Sequence, residues 1–359
     1  VTGEGGRRWG SGRAVLVVLL VAGMIVGLGP ARARLVRTVG GWAHRLEDVA
    51  AAVPQRRLAA ERAAAGGAAL LLVVTDGTGA GVAFGILTRD AAGEAVLVAL
   101  PSSLVAILPG YGEFTLGEAV AFEGPGLAAV GVENALGVRV DGTVRLEAAA
   151  LPALRDVPPG DVAALLTPGD AADPLVAFRR RSAALAGVLR AVGSDPTAVE
   201  TLAAGAGSRP EAARGLLALA GAGLETATLP VAVAGGGERL AVREGDATAL
   251  LRRRMPDLLL AEGRRPRLEV LNGNGRLQAT RPIAEVLIGA GYRLVRTDNA
   301  ENFSFPTTLV IAQGRENAGA ARRVVELLGV GALRLEVRAP SGAVDVSIIV
   351  GQDVPTGEG

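Results

Sequence analysis

Three consecutive arginines, Arg179, Arg180 and Arg181, and an aspartate closing an apolar run, Asp76, are the residues whose types suit phosphate chemistry. Guanidinium forks grip phosphate oxygens in bidentate pairs. A carboxylate supplies the hard oxygen that Mg²⁺ takes. Each also has a plainer reading. Arg179 to Arg181 suit a solvated helix start as well as a phosphate, and Asp76, which opens DGTGAG, suits a strand-end turn better than a metal. Asn272, Gly273, Asn274 and Gly275 (NGNG) lie between a strand pattern and a helix pattern. Backbone N–H groups there can bind an anion, although Asn and Gly are first of all turn residues. Tyr111, in PGYGEF, either offers a ring to a lipid or glycan or packs its own loop.

Composition removes other chemistries. There is no cysteine, so disulfides, thiol nucleophiles and thiolate metal sites are excluded. The single histidine, His44, sits in a helix-like surface pattern, which excludes His-based triads and His-rich metal sites. DGTGAG lacks the Lys of a phosphate loop, and the VAFGIL that follows it has a strand pattern where a dinucleotide fold needs a helix. The 37 basic residues, all Arg, nearly cancel 36 acidic ones, for a net charge of +1. That balance lacks the basic excess of a nucleic-acid binder, and no nucleic-acid partner is expected.

The elements that must position these groups follow from hydropathy. Half of the 359 residues are hydrophobic and only 3% aromatic, so the core must be built from Ala, Val and Leu. Ala14 to Gly29 (AVLVVLLVAGMIVGLG) carries no charge. Extended to Ala31, it spans about 27 Å as a helix at roughly 1.5 Å per residue, which nearly matches a bilayer core. Arg7, Arg8 and Arg13 precede it and favour an inside N-terminus. Ala31-Arg32-Ala33 also fits a signal-peptidase pattern. A signal anchor is the preferred reading, and either one places the bulk of the chain outside the cytoplasm.

The expected organisation is therefore a cytoplasmic 1–13, a transmembrane 14–31, a helical stalk over 32–67 and an α/β domain over 68–255. A linker at 256–266, a small α/β domain at 267–354 and a tail at 355–359 complete it. The apolar runs Ala69 to Thr75, Val82 to Leu87 and Ala95 to Leu100 predict strands buried on both faces of a central mixed sheet. Strand is also expected at Val138 to Leu146 and Glu225 to Val233. Helices are expected at Gly117 to Ala121, Gly126 to Leu136, Ala148 to Leu154, Phe178 to Val192, Asp195 to Leu202, Arg209 to Ala222 and Asp246 to Arg254. Residues 157–174 have a loop composition. In the last unit, two helices, from about Leu277 to Ala290 and Ala318 to Leu328, accompany a small sheet.

Residues 267–354 resemble the LytR C-terminal domain of bacterial envelope proteins. The features that carry this occur in order: LEVLNGNG (268–275), LIGAGYRLV (287–295), DNAENFSFPTTLVI (298–311), AARRVVELLG (320–329) and IIVGQD (348–353). The segment 68–255 resembles the LytR-CpsA-Psr domain in a degraded form, through LLLVVTD (70–76), ALPSSLVAILPGYGEFTLGEA (99–119), the 132–157 stretch, FRRRSAALAGVLRAV (178–192) and ATLPVAVA (227–234). That family transfers glycopolymers from a polyprenyl pyrophosphate lipid to the cell wall, using Mg²⁺, Arg and Asp.

Here the family's Arg-Asp pair falls on Ser102 and Ser103, the Asp of its second strand has no counterpart, and Ser182 replaces a Gln. Asp76 and Arg179 to Arg181 survive as the metal and pyrophosphate candidates. The resemblance thus implies a single-pass, extracytoplasmic membrane protein with a non-catalytic binding or accessory role in glycopolymer attachment. Its partners would be the cell membrane, a polyprenyl-phosphate-linked glycopolymer, peptidoglycan or another member of the family. The alternative is an active Mg²⁺-dependent phosphotransferase in which Asp90 or Glu113 joins the surviving residues in one pocket.

Overall fold

The strand-like runs do form strands, and they build two mixed sheets. A computed structural model describes residues 67–354, except 155, 168–172, 208, 236, 330–331 and 337–341. The expected membrane span, nearly all of the stalk, and the tail lie outside the described residues. No helix among the described residues is long and apolar enough to cross a membrane.

In chain order the first part comprises β1 (Leu70–Thr75), β2 (Gly81–Arg89), β3 (Ala95–Leu100), β4 (Val105–Leu108), β5 (Gly112–Thr115), α1 (Leu116–Glu123) and α2 (Pro125–Leu136). It continues with β6 (Gly142–Glu147), α3 (Pro159–Leu166), α4 (Pro174–Ser194), α5 (Pro196–Ala204), α6 (Pro210–Ala222), β7 (Leu224–Thr228), β8 (Val231–Val233), β9 (Leu240–Val242) and α7 (Glu244–Arg254). The central sheet has the order β6-β1-β2-β3-β7. β1, β2 and β3 form an antiparallel meander, while β6 runs parallel to β1 and β7 parallel to β3.

Every residue of β1 and of β3 is buried, as continuous apolar strands require when both faces are covered. Alternate residues divide between two cores. Leu70, Leu72, Val74 and Leu97 pack against α3, α4, α5 and α6. Leu71, Val73, Val96 and Val98 pack against α1, α2 and α7. Helices α4 and α6 touch backbone to backbone at Gly193 and Gly221, where a Cβ on either residue would fall on the other's main chain.

Several local expectations are corrected. Ala148–Ala153 is a 3-10 turn containing Pro152, not an α-helix. The 157–174 stretch contains α3, which starts at Pro159 immediately after Pro158. The Glu225 to Val233 strand is broken at Leu229-Pro230 into β7 and β8. The first helix of the last unit starts at Arg281 rather than near Leu277, because Gln278 has a left-handed φ of 55° and the preceding residues form a turn.

That last unit comprises β10 (Arg267–Asn272), α8 (Arg281–Gly289), β11 (Arg293–Asn299), β12 (Leu309–Gln313), α9 (Ala318–Leu328), β13 (Ala332–Glu336) and β14 (Val346–Val350). Its sheet has the order β11-β10-β14-β12-β13. Leu268, Val270, Ile283, Leu287, Val310, Val324 and Ile348 form its core, with Ile107 and Val130 of the first part packed against it.

Candidate functional site

A cleft opens where β3 stops. Pro101 cannot donate a ladder hydrogen bond, and the chain turns there: Leu104 N–H donates to the Pro101 carbonyl at 3.1 Å and Gly117 N–H to the Ser102 carbonyl at 2.8 Å. The other wall is α4, whose first turn is capped by the Asp173 carboxylate, accepting from Leu175 and Val176 N–H at 3.1 and 3.0 Å. Phe178, Arg181, Ser182 and Leu185 recur at steps of three and four along α4, so they share the face turned to β2 and β3. Phe84, Leu100, Phe178 and Leu185 line the apolar depth of the cleft; Ser102, Ser103, Arg181 and Glu238 supply its polar groups. Its enclosed space is small, about 40 Å³, and reaches about 460 Å³ only when the solvent in its open mouth is counted.

Arg181 is the cation of this cleft. One Nη lies 3.4 Å from Ser102 Oγ and the other donates to the Thr167 carbonyl at 2.6 Å. Its Nε is buried without a hydrogen-bond partner. Burial, and then the neighbouring Arg180, lower its pKa from the ordinary guanidinium value, while Glu238 acts the other way. A guanidinium stays charged at any physiological pH. A buried donor without an acceptor costs about 1–3 kcal/mol, and an oxyanion entering the cleft would supply the acceptor.

Of the other sequence candidates, Arg179 and Arg180 are exposed and outside the lining. Asp76 lies at the same end of the sheet, after β1. Its Oδ1 accepts from Thr78 N–H, Thr78 Oγ1 and Ala80 N–H at 2.9, 2.7 and 3.1 Å. The Thr78 hydroxyl is the largest influence holding this carboxyl below its ordinary pKa. Asp90 closes the turn after β2, at the opposite end of a nine-residue strand, which is roughly 30 Å at about 3.3 Å per residue. Glu113 pairs with Arg239 at 3.2 Å. These carboxylates do not converge on Arg181.

The cleft lining includes one carboxylate, Glu238, and no group of three metal-ligating side chains occurs among the described residues. Mg²⁺ takes several hard oxygens, and this donor set does not fit it.

The NGNG segment forms a turn. Asn272 Oδ1 accepts from Asn274 N–H at 3.2 Å and Gly275 N–H at 3.0 Å, and Asn274 Nδ2 donates to the Gly351 carbonyl at 2.9 Å. Gly273 has no room for a Cβ between Ile349, Phe305 and Val350. Tyr111 packs its own loop, stacked on Phe122 with ring centroids 5.2 Å apart. Its hydroxyl donates to Glu123, which also pairs with Arg281, and accepts from Gln278 Nε2 at 3.3 Å. Sequence reasoning noted Ser102 and Ser103 only as replacements. The 178/181/182/185 spacing was the signal that would have singled out Arg181 from its neighbours.

Residues 265–353 match the family model described as LytR cell envelope-related transcriptional attenuator. No curated protein matches the chain. Among solved structures, TagT of B. subtilis is similar at 15% identity and a TM-score of 0.40, over 54% of this chain and 91% of that one. A LytR-Csp2A-Psr enzyme from Actinomyces oris is similar at 17% identity and a TM-score of 0.40, over 54% and 92%. YwtF (TagT) with bound octaprenyl pyrophosphate lipid is similar at 15% identity and a TM-score of 0.38, over 54% and 90%. Over residues 265–353 the chain thus carries the domain of the LytR cell envelope-related transcriptional attenuator family.

Proposed function

We propose that this protein is a membrane-anchored, extracytoplasmic cell-envelope module that holds the phosphate end of a lipid-linked glycopolymer without transferring it. One observation carries the reading: Arg181 brings a buried, unpartnered Nε to a cleft with an apolar depth and a polar mouth. An amphiphile with a phosphate head and an apolar tail has the complementary chemistry. The lack of transfer follows from what surrounds Arg181. Ser102 and Ser103 stand where the resembling family has Arg and Asp. The one carboxylate of the lining, Glu238, opposes a phosphate rather than binding it. A charge-assisted hydrogen bond contributes about 1.5–3 kcal/mol, so one arginine can hold a phosphate weakly. Spreading the charge of a transferring phosphoryl group takes more cations than this. The family domain at 265–353 supports a place in the cell envelope, and the apolar run at 14–31 supports the anchor.

The test uses the full chain in nonionic detergent with a polyprenyl pyrophosphate, with and without Mg²⁺, measuring binding by calorimetry and phosphate release by colorimetry. Binding without turnover, weakened at least about tenfold by Arg181→Ala, is the expected result. Mg²⁺-dependent hydrolysis abolished by the same substitution would make the protein an enzyme and overturn the non-catalytic reading. No binding at all would overturn the cleft as a lipid-phosphate site.

A further inference from the structure

Aromatic side chains are scarce in this chain, at 3% of residues. Of its six Phe and two Tyr, five nevertheless gather in one place. Tyr111 stacks on Phe122, and Phe114 meets the same ring edge-on, with centroids 5.2 and 4.9 Å apart. Gln278 joins this trio to the NGNG turn by its hydrogen bond to the Tyr111 hydroxyl at 3.3 Å. On that turn Phe303 lies against Gly275 and Phe305 against Gly273, each so close that a Cβ on the glycine would press on the ring.

The tip formed in this way is held from several sides. Phe305 N–H donates to the Gly273 carbonyl at 3.2 Å, and Gln352 N–H donates to the Phe305 carbonyl at 2.9 Å. Leu277 stands at its summit, 97% exposed, and Phe303 and Phe122 of the same tip are nearly half exposed. Single exposed apolar side chains are ordinary on a soluble surface. A leucine and two rings presented together by a pre-ordered turn make a contact surface.

Charge does not draw the partner. Arg276 and Glu301, exposed in the two loops, cancel, and Arg281 is paired with Glu123. The partner is therefore apolar, and a leucine standing clear of the surface needs a phase that closes around it. The sequence keeps such a phase at hand. Only residues 32–66, 35 in number, separate the apolar run at 14–31 from Gly67, where the described chain begins. That many residues reach at most about 120 Å when fully extended, so a chain anchored by the run never leaves the neighbourhood of the bilayer.

We propose that this tip is a second membrane contact, in which Leu277 and Phe303 enter the boundary between lipid headgroups and acyl chains. Leucine and aromatic rings seat at that depth, while the Arg276 guanidinium reaches back to the headgroups. The inference rests on the membrane-anchored part of the proposed function and is independent of what the Arg181 cleft holds.

The chain has no cysteine, so one introduced cysteine carries one nitroxide label. Leu277→Cys, Phe303→Cys and, as a control in the exposed β2–β3 turn, Ala91→Cys would each be labelled in the full chain. Each would be reconstituted into phosphatidylcholine vesicles and checked by flotation. Paramagnetic resonance would then compare label access to oxygen and to a water-soluble nickel chelate. The labels at 277 and 303 should lie about 5–10 Å below the headgroup boundary, shielded from the chelate at low and high salt alike, and the label at 91 should lie in water. Leu277→Asp should return the 303 label to water, because a carboxylate resists transfer to an apolar phase. Chelate access at 277 and 303 equal to that at 91, in a chain that floats with the vesicles, would overturn the tip and leave the anchor standing. A chain that does not float would overturn the anchor and this inference with it. Shielding that grows with the ratio of protein to lipid would assign the tip to a second copy of the chain and overturn the lipid contact.

Discussion

The two sheets of this protein treat their second faces differently. The central sheet is covered on both, so β1 and β3 are buried at every position and apolar at all of them but Thr75. The second sheet buries one face on α8 and α9 and gives the other to polar side chains. Across it, Gln313 Nε2 donates to Ser347 Oγ at 3.0 Å, Ser347 donates to Glu269, and Arg296 lies 3.7 Å from Glu269. The contrast shows where each part can hold a ligand. Between the doubly covered sheet and its helices the buried strand residues are apolar apart from Thr75 and Thr88, each close to a strand end, and Arg181 and Ser102 come in past the end of β3. A half-open sheet tolerates charge along its flank, where Arg296 lies beside Glu269 and Arg293 pairs with Glu244.

The largest test of that contrast is Leu71→Ala, in the middle of the central sheet and fully buried. It should cost about 3–4 kcal/mol, read from the midpoint of urea unfolding. A cost below about 1 kcal/mol would mean that the doubly covered sheet is not the stable heart of the molecule.

Asp345→Asn, on the second unit, should cost about 2 kcal/mol. Burial pushes the Asp345 carboxyl up, but hydrogen bonds from Arg267 and Arg264 outweigh it and leave the pKa below the ordinary value. The folded state therefore holds the ionised form more tightly than the unfolded chain does. That stabilisation is complete above the unfolded pKa of about 4 and is lost as pH falls through the lower folded value. Thermal melts between pH 6 and pH 2 should show a smaller acid-side loss in Asp345→Asn than in the native chain. Identical pH profiles would remove Asp345 from the account of acid sensitivity.

The smallest effect belongs to the polar face. Ser347→Ala removes a hydroxyl shared by Gln313 and Glu269, both half-buried and able to turn to water. It should cost less than about 1 kcal/mol by the same urea titration. A larger cost would make this face as closely packed as the other.

How much of this was legible in the sequence depended on range. The apolar runs gave the strands and their double burial because periodicity is local. Helix starts at Pro196 and Pro210 followed from a missing N–H and a preset φ. The β4–β5 hairpin went unread, since its four-residue strands carry too little pattern. The site was legible as a set of residue types but not as an arrangement. Arg179, Arg180 and Arg181 differ only in which way a helix turns each of them, and that depends on the sheet beneath. The turn at Asp76 is legible because an Asx turn is made within four residues. The arginines beside α7 were invisible as a group, because Arg252 and Arg293 come to line one concavity only after two layers have assembled.

One buried amide links those layers. Asn134, on α2, donates from Nδ2 to the carbonyls of Ile107 and Leu294 at 3.0 and 2.9 Å, and its Oδ1 accepts from Leu294 N–H at 2.8 Å. Leu294 belongs to β11, an outermost strand of the second sheet. The side chain therefore does there what a neighbouring strand would do, satisfying an N–H and a C=O on the open side. Exposed strand edges are templates for unwanted pairing with other chains. The second unit is accordingly not a free-standing bead: cut away from α2, it would present β11 uncapped and sticky, and its solubility is underwritten by a residue outside its own sequence.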